Sequence, residues 1–209
     1  MRCFSRKRRN HETNRFDGRD ELLSGWTGLG QPWPPCHTRN AGMYAIPWIP
    51  GTILLGISKK EIETSYTIGL DTIKRMQEKV KEASGFLVYK VKVGVENDLK
   101  MVEAIREITN AKIRLDANCG WDLKEALKKL KVFEKFNIEL LEQPIPPGNL
   151  ENLRIIRENT DIPIFVDEWL MTSKDIPQYM GKADGINIKL MKCGGIREAL
   201  KMIHTARAC

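Results

Sequence analysis

KIRLD at residues 112–116, IELLE at 138–142 and IPIFVD at 162–167 are short, largely apolar runs, and each closes on a carboxylate. Runs of the same kind lie on both sides: ETSYTIG (63–69) and FLVYKVKV (86–93) before them, GINIKL (185–190) after. Their starts fall about 22 to 26 residues apart, and the intervals carry apolar residues at helical spacing. Ile73, Met76, Val80 and Ala83 share one face, as do Leu99, Val102, Ile105 and Ile108, then Leu123, Ala126, Leu127, Leu130 and Phe133. Leu150, Leu153 and Ile156 begin a fourth helix, a short one follows Ser173, and Ile196, Ala199, Leu200 and Ile203 mark a sixth.

Strands this apolar have no wet face, so six β-then-α units imply a parallel sheet covered by helices. Such a sheet is either doubly wound and open or the wall of a TIM-type (β/α) barrel. An open sheet binds ligands at one switch point after a Gly-rich turn, whereas a barrel carries its chemistry on several successive strand ends. Here the polar residues end one strand after another and no Gly-rich turn occurs, which favours an incomplete (β/α) barrel of about six units.

Asp116, Glu142 and Asp167 therefore converge on one end of the sheet, where three carboxylates suit a hard cation such as Mg2+. The plain alternative is that each acid caps the helix after it. Lys90 and Lys92 are two apart in an otherwise apolar strand and share a face, and Lys189 repeats the feature in the sixth run. An unpaired ammonium in a core strand is costly, so these lysines either pair with the acids structurally or act chemically. Amines on both sides of a cation-bound carboxylate group suit removal of the adjacent proton from one face and its return on the other.

Residues 1–57 differ in composition: seven Arg and one Lys against four acids, net +4, with half the prolines and three of the five tryptophans. They lack periodicity and read as an irregular or disordered segment of separate origin, with residues 58–209 as the barrel domain. The run Arg6-Lys7-Arg8-Arg9 lacks interleaved aromatics and reads as a solvated tail rather than a nucleic-acid site. Gly28-Leu29-Gly30 has Trp33 where a dinucleotide loop needs its third glycine, and His11 and His37 have no metal-ligand spacing. Five cysteines without a CxxC pair, no apolar run of membrane-spanning length and no leader-like h-region lead to the expectation of a cytoplasmic protein with no membrane partner.

The joint set YKVKVG, RLDANCGW, LLEQPI, IFVDE and INIKLMKCGGI resembles the muconate-lactonizing subgroup of the enolase superfamily, and within it the dipeptide epimerases of the L-Ala-D/L-Glu type, over about residues 59–209. The resemblance implies Asp116, Glu142 and Asp167 as Mg2+ ligands, Lys92 and Lys189 as paired acid/base catalysts and Lys90 as an auxiliary lysine. It sets Lys192 aside as non-catalytic. The implied substrate is a small molecule, a dipeptide or N-acyl amino acid; o-succinylbenzoate synthesis, cycloisomerisation and a non-catalytic fragment are the alternatives. The resembling segment stops in the sixth helix, before the Asp-x-Asp region that the family uses for the substrate ammonium. Six strands are too few to close a barrel, so unpaired edges are expected to favour a homo-oligomer or aggregation.

Overall fold

A computed structural model describes residues 63–209. The readings made on residues 1–57 lie outside the described residues, as does the proposed boundary at residue 58. The elements are β1 (Ser65–Ile68), α1 (Ile73–Glu82), β2 (Val88–Lys92), α2 (Asp98–Arg106), β3 (Lys112–Asp116), α3 (Leu123–Phe133), β4 (Ile138–Glu142), α4 (Leu150–Glu158), β5 (Ile164–Val166), β6 (Gly185–Ile186), α5 (Leu190–Cys193) and α6 (Ile196–Ala208). Short 3-10 helices cover Glu134–Phe136 and Ser173–Tyr179, the latter matching the short helix expected after Ser173.

All five strand pairings are parallel and the spatial order is β1-β2-β3-β4-β5-β6. A doubly wound sheet reverses its order at a switch point; this one never turns back. Right-handed crossovers that always step in one direction put every helix on the same side, which is the winding of a barrel wall. The barrel reading is borne out, with β1 and β6 as edges of the sheet among the described residues.

Strand alternation then sorts the side chains. Tyr89, Val91, Val93, Ile113, Leu115 and Ala117 pack into the core beneath the helices with Met76, Val80, Val102, Ile105, Leu130 and Phe133. The residues between them, Lys90, Lys92, Arg114 and Asp116, face the other way, with Lys90 beside Arg114 and Lys92 beside Asp116 in register. A register shift after Ile113 lets β4 gain a residue, yet Asp116 still lies opposite Glu142. Ile164 and Val166 enter the core, so Phe165, and Asp167 after it, point to the Glu142 side.

Local signals fix the helix ends. Thr72, Asp122 and Asn149 cap α1, α3 and α4 through side-chain oxygens that accept from Arg75 N, Glu125 N and Asn152 N. The Tyr89 hydroxyl donates to Ala83 O at 2.7 Å and ties the end of α1 to β2. Helix α2 ends at Arg106, before the expected Ile108, where the backbone tightens so that Ile108 N donates to Ile105 O at 3.1 Å; the Arg106 guanidinium braces the turn by donating to Thr109 O, Ala111 O and Phe136 O at 2.9 Å each. The sixth run differs most from its expectation. Only Gly185 and Ile186 pair with β5, and Lys189 stands beyond the strand as the extended residue preceding α5.

Candidate active site

The three strand-end acids are not helix caps, since the caps are Asp122, Asn149 and Thr172, several residues further on. Asp116, Glu142 and Asp167 are instead buried side by side at the C-terminal ends of β3, β4 and β5. All three lysines singled out in the sequence meet them. Lys90 Nζ donates to Glu142 Oε2 at 2.6 Å and lies 2.9 Å from Asp116 Oδ2. Lys92 Nζ donates to Asp116 Oδ2 at 2.6 Å, and Lys189 Nζ pairs with Asp167 Oδ2. The acids are sunk and the amines reach outward: the Asp116 and Asp167 side chains are 1% and 0% exposed, against 30% for Lys92 and 42% for Lys189. The six residues thus form one cluster, with Lys92 at the β2 side and Lys189 at the β6 side.

Electrostatics within the cluster are uneven. Burial opposes ionisation of Asp116, but Lys90 and Lys92 outweigh it and hold the carboxyl below the usual range. Burial also works against Asp167, where hydrogen bonding to Glu142, Lys189 and Lys192 prevails and lowers it. Glu142 is the exception: burial, with Asp116 and Asp167 adding to it, pushes it up to about 7 against the opposing pull of Lys90. Burial disfavours the Lys90 ammonium, yet the Glu142 and Asp116 carboxylates raise its proton affinity, and Asp167 does the same for Lys189 against its own burial.

Several contacts were not legible in the sequence. Lys192, which the resemblance set aside as non-catalytic, joins Asp167 through both the carboxylate and the backbone carbonyl. Asn187 Nδ2 donates to Glu142 Oε1 at 2.7 Å, and Gln143 Oε1 accepts from Asp167 N at 3.0 Å. Asn118 Oδ1 accepts from Lys92 Nζ at 2.7 Å while its Nδ2 donates to Glu168 Oε1 at 2.8 Å. A cavity of about 420 Å³, lined by Val95, Leu99, Glu125 and Lys128 among others, opens beside the turn after β2 and includes none of the six cluster residues.

Three buried carboxylates on consecutive strands are the hard oxygen donors that a divalent cation requires, and Glu142, under-compensated by a lysine it shares with Asp116, is suited to gain from one. As the side chains stand, each acid is turned to a lysine, and among the described residues no group of three or more His, Cys, Asp or Glu side chains is disposed to hold one ion. The donor set fits; holding the ion would mean turning carboxylate oxygens from the ammoniums toward it.

The family model described as "Enolase C-terminal domain-like" matches residues 72–209. The chain belongs to this family. Among curated relatives, the L-Ala-D/L-Glu epimerase of Bacteroides thetaiotaomicron is 39% identical over 175 residues, covering 82% of this chain and 45% of that protein. The hydrophobic dipeptide epimerase of Enterococcus faecalis is 40% identical over 157 residues, covering 71% and 44%. Among solved structures, the dipeptide epimerase from Cytophaga hutchinsonii complexed with Mg and the dipeptide D-Ala-L-Val superposes with a TM-score of 0.71 at 33% identity, over 75% of this chain and 45% of that one. The substrate-liganded L-Ala-D/L-Glu epimerase from Bacillus subtilis gives 0.67 at 37% identity, over 70% and 44%. The chain spans a little under half the length of the curated relatives it matches. Within this enolase-type wall, no helix among the described residues is long and apolar enough to cross a membrane.

Proposed function

We propose that residues 58–209 are an enolase-type barrel domain carrying the acid/base centre of a dipeptide epimerase, which inverts the α-carbon of a dipeptide or N-acyl amino acid. The observation that carries this reading is the arrangement of three buried carboxylates on consecutive strands between two outward-reaching amines, Lys92 and Lys189. The substrate class follows the names of the relatives, which include dipeptide epimerases and an N-succinyl-L-Arg/Lys racemase from Bacillus cereus.

Asp116, Glu142 and Asp167 would hold Mg2+, which supplies positive charge against the substrate carboxylate and so lowers the cost of the negative charge that forms there. Lys92, once it has left Asp116 and given up its own proton, takes the α-proton from one face; the C–H electron pair moves into the substrate carboxylate, giving an ene-diolate. Lys189, as the ammonium, returns a proton to the α-carbon on the opposite face, the electron pair moves back, and the stereocentre is inverted. The reverse reaction exchanges the two roles. The pairing of Lys189 with Asp167 favours the ammonium, so Lys189 is set as the acid, and it accepts a proton only once it has left that carboxylate. Lys90, shared between Glu142 and Asp116, keeps the floor of the site positive without reaching as far outward.

Proton NMR in D2O with Mg2+ tests this directly. Incubating the chain with L-Ala-L-Glu or L-Ala-D-Glu should place deuterium at the Glu α-carbon and produce the other epimer. Lys92→Ala and Lys189→Ala should each abolish epimerisation, and each should retain exchange from only one epimer. No α-deuterium in the wild type, or small equal losses in the two variants, would overturn two-base chemistry.

A further inference from the structure

The contacts of Lys92 extend past Asp116 along a chain that the reaction described above does not use. Lys92 Nζ is held between Asp116 Oδ2 at 2.6 Å and Asn118 Oδ1 at 2.7 Å. Asn118 Nδ2 in turn donates to Glu168 Oε1 at 2.8 Å. A side-chain amide has one acceptor end and one donor end, so only one orientation serves both neighbours. Turned over, it would set an N–H against the ammonium and an oxygen against the carboxylate. Glu168 therefore decides that an acceptor faces Lys92.

Two further features show that this arrangement is held at a cost. Asn118 and Cys119 both adopt left-handed backbone, with φ of 42° and 65°, a conformation that side-chain-bearing residues rarely take in succession. The turn is pinned by Asn118 N to Asp116 Oδ1 at 3.1 Å, Cys119 N to Gln143 O at 2.9 Å and Gly120 N to Ala117 O at 2.8 Å. Glu168 Oε2 is buried with no hydrogen-bond partner among the described residues, so the contact to Asn118 through Oε1 is what its carboxylate offers the site. Leaving a carboxylate oxygen buried and unmatched destabilises the fold. Strain and an unmatched buried oxygen next to reactive groups point to a task other than folding.

We infer that Asn118 and Glu168 are positioning residues for Lys92, Asn118 fixing the direction of the amine and Glu168 fixing the orientation of Asn118. The inference rests on the epimerase reading for its catalytic consequence only. Neither residue transfers a proton; together they keep Nζ from being drawn entirely onto Asp116. Small misplacement of a reacting group is enough to slow a step by about 10- to 100-fold.

The test uses Asn118→Ala, Glu168→Ala and Glu168→Gln in the full chain, with folding checked by circular dichroism. In the D2O assay, Lys92→Ala identifies the epimer whose exchange depends on Lys92. Asn118→Ala and Glu168→Ala should slow exchange from that epimer about tenfold or more and leave exchange from the other, which depends on Lys189, within about twofold. Glu168→Gln, which keeps an oxygen for Asn118 Nδ2, should restore most of the lost rate. Equal losses for both epimers, or no loss, would overturn the inference. A wild-type chain without any exchange would remove the epimerase reading instead, and the positioning is then judged by reductive methylation with formaldehyde, read by mass spectrometry. Lys92 should methylate several-fold more slowly in the two alanine variants than in the wild type, because its amine is then drawn wholly onto Asp116, with exposed Lys124 unchanged. An unaltered Lys92 rate would overturn it.

Discussion

Replacing Asp98 by alanine removes the centre of a buried clamp behind the candidate site. The Asp98 carboxylate is fully buried and accepts from Lys129 Nζ and Trp121 Nε1, each at 2.7 Å, and from Gly94 N and Val95 N at 3.0 to 3.2 Å. It thereby ties the turn after β2 to the start of α2, to the β3–α3 loop and to α3. In Asp98→Ala the Lys129 ammonium, itself buried, keeps Glu125 at 2.5 Å and Val95 O at 2.7 Å but loses its inward carboxylate. Breaking a buried pair by removing one partner costs about 3–5 kcal/mol, a large part of the ~5–15 kcal/mol that holds a typical domain together. Asp98→Asn keeps the shape and one acceptor, and should cost about 1.5–3 kcal/mol. With a urea slope of about 1–3 kcal/mol per molar, the alanine variant should shift the unfolding midpoint down by one molar or more. Adding Lys129→Met should recover part of the loss, because the stranded charge is then gone. A loss below about 1 kcal/mol in Asp98→Ala, or no recovery in the double variant, would refute the clamp.

A Cβ at Gly120 would lie 2.5 Å from Gly94 Cα and 2.6 Å from Gly94 O, so Gly120→Ala must push two backbones apart. Its expected cost is about 1–3 kcal/mol in chemical denaturation, with α-proton exchange falling as well because the displaced turns follow Lys92 and Asp116. Burial, and beyond it the Glu168, Asp116 and Asp167 carboxylates, push the Cys119 thiol up to about 11. At pH 8 it should hold on the order of a hundredfold less thiolate than a free cysteine titrating near 8.5. Iodoacetamide should therefore label it slowly, and faster as the pH is raised toward 11, as followed by peptide mass spectrometry; labelling at the rate of an unstructured peptide thiol at pH 8 would contradict the burial.

The winding was legible because core strands on a parallel sheet cannot hide their hydrophobicity, and because Asp116, Glu142 and Asp167 interrupt it at the same point of three successive units. The same logic found Lys90 and Lys92, two residues apart in β2. It overreached at Lys189. The run GINIKL has strand composition throughout, but β5 ends at Val166, so only Gly185 and Ile186 pair in register, Asn187 N makes a last bond to Val166 O at 2.8 Å, and the lysine sits on the connection to α5. Lys192, Asn118, Gln143, Glu168 and Asn187 carry no periodic signal; Asn118, Gln143 and Glu168 stand within two residues of an acid, but the contacts these five make reach partners 24 to 50 positions away along the chain, which only folding brings together. The Asp98–Trp121–Lys129 clamp was hidden for the same reason, since helix periodicity cannot separate a buried ammonium with a distant partner from a solvated one.

The central claim is that the carboxylates of residues 116, 142 and 167 share one divalent ion. Titrating the full chain with Mn2+ and following the free ion by electron paramagnetic resonance measures this without requiring turnover. The account predicts one site per chain, competed by Mg2+ and lost in Asp167→Asn and Glu142→Gln variants that still fold. No saturable binding, or binding that survives both substitutions, would contradict it.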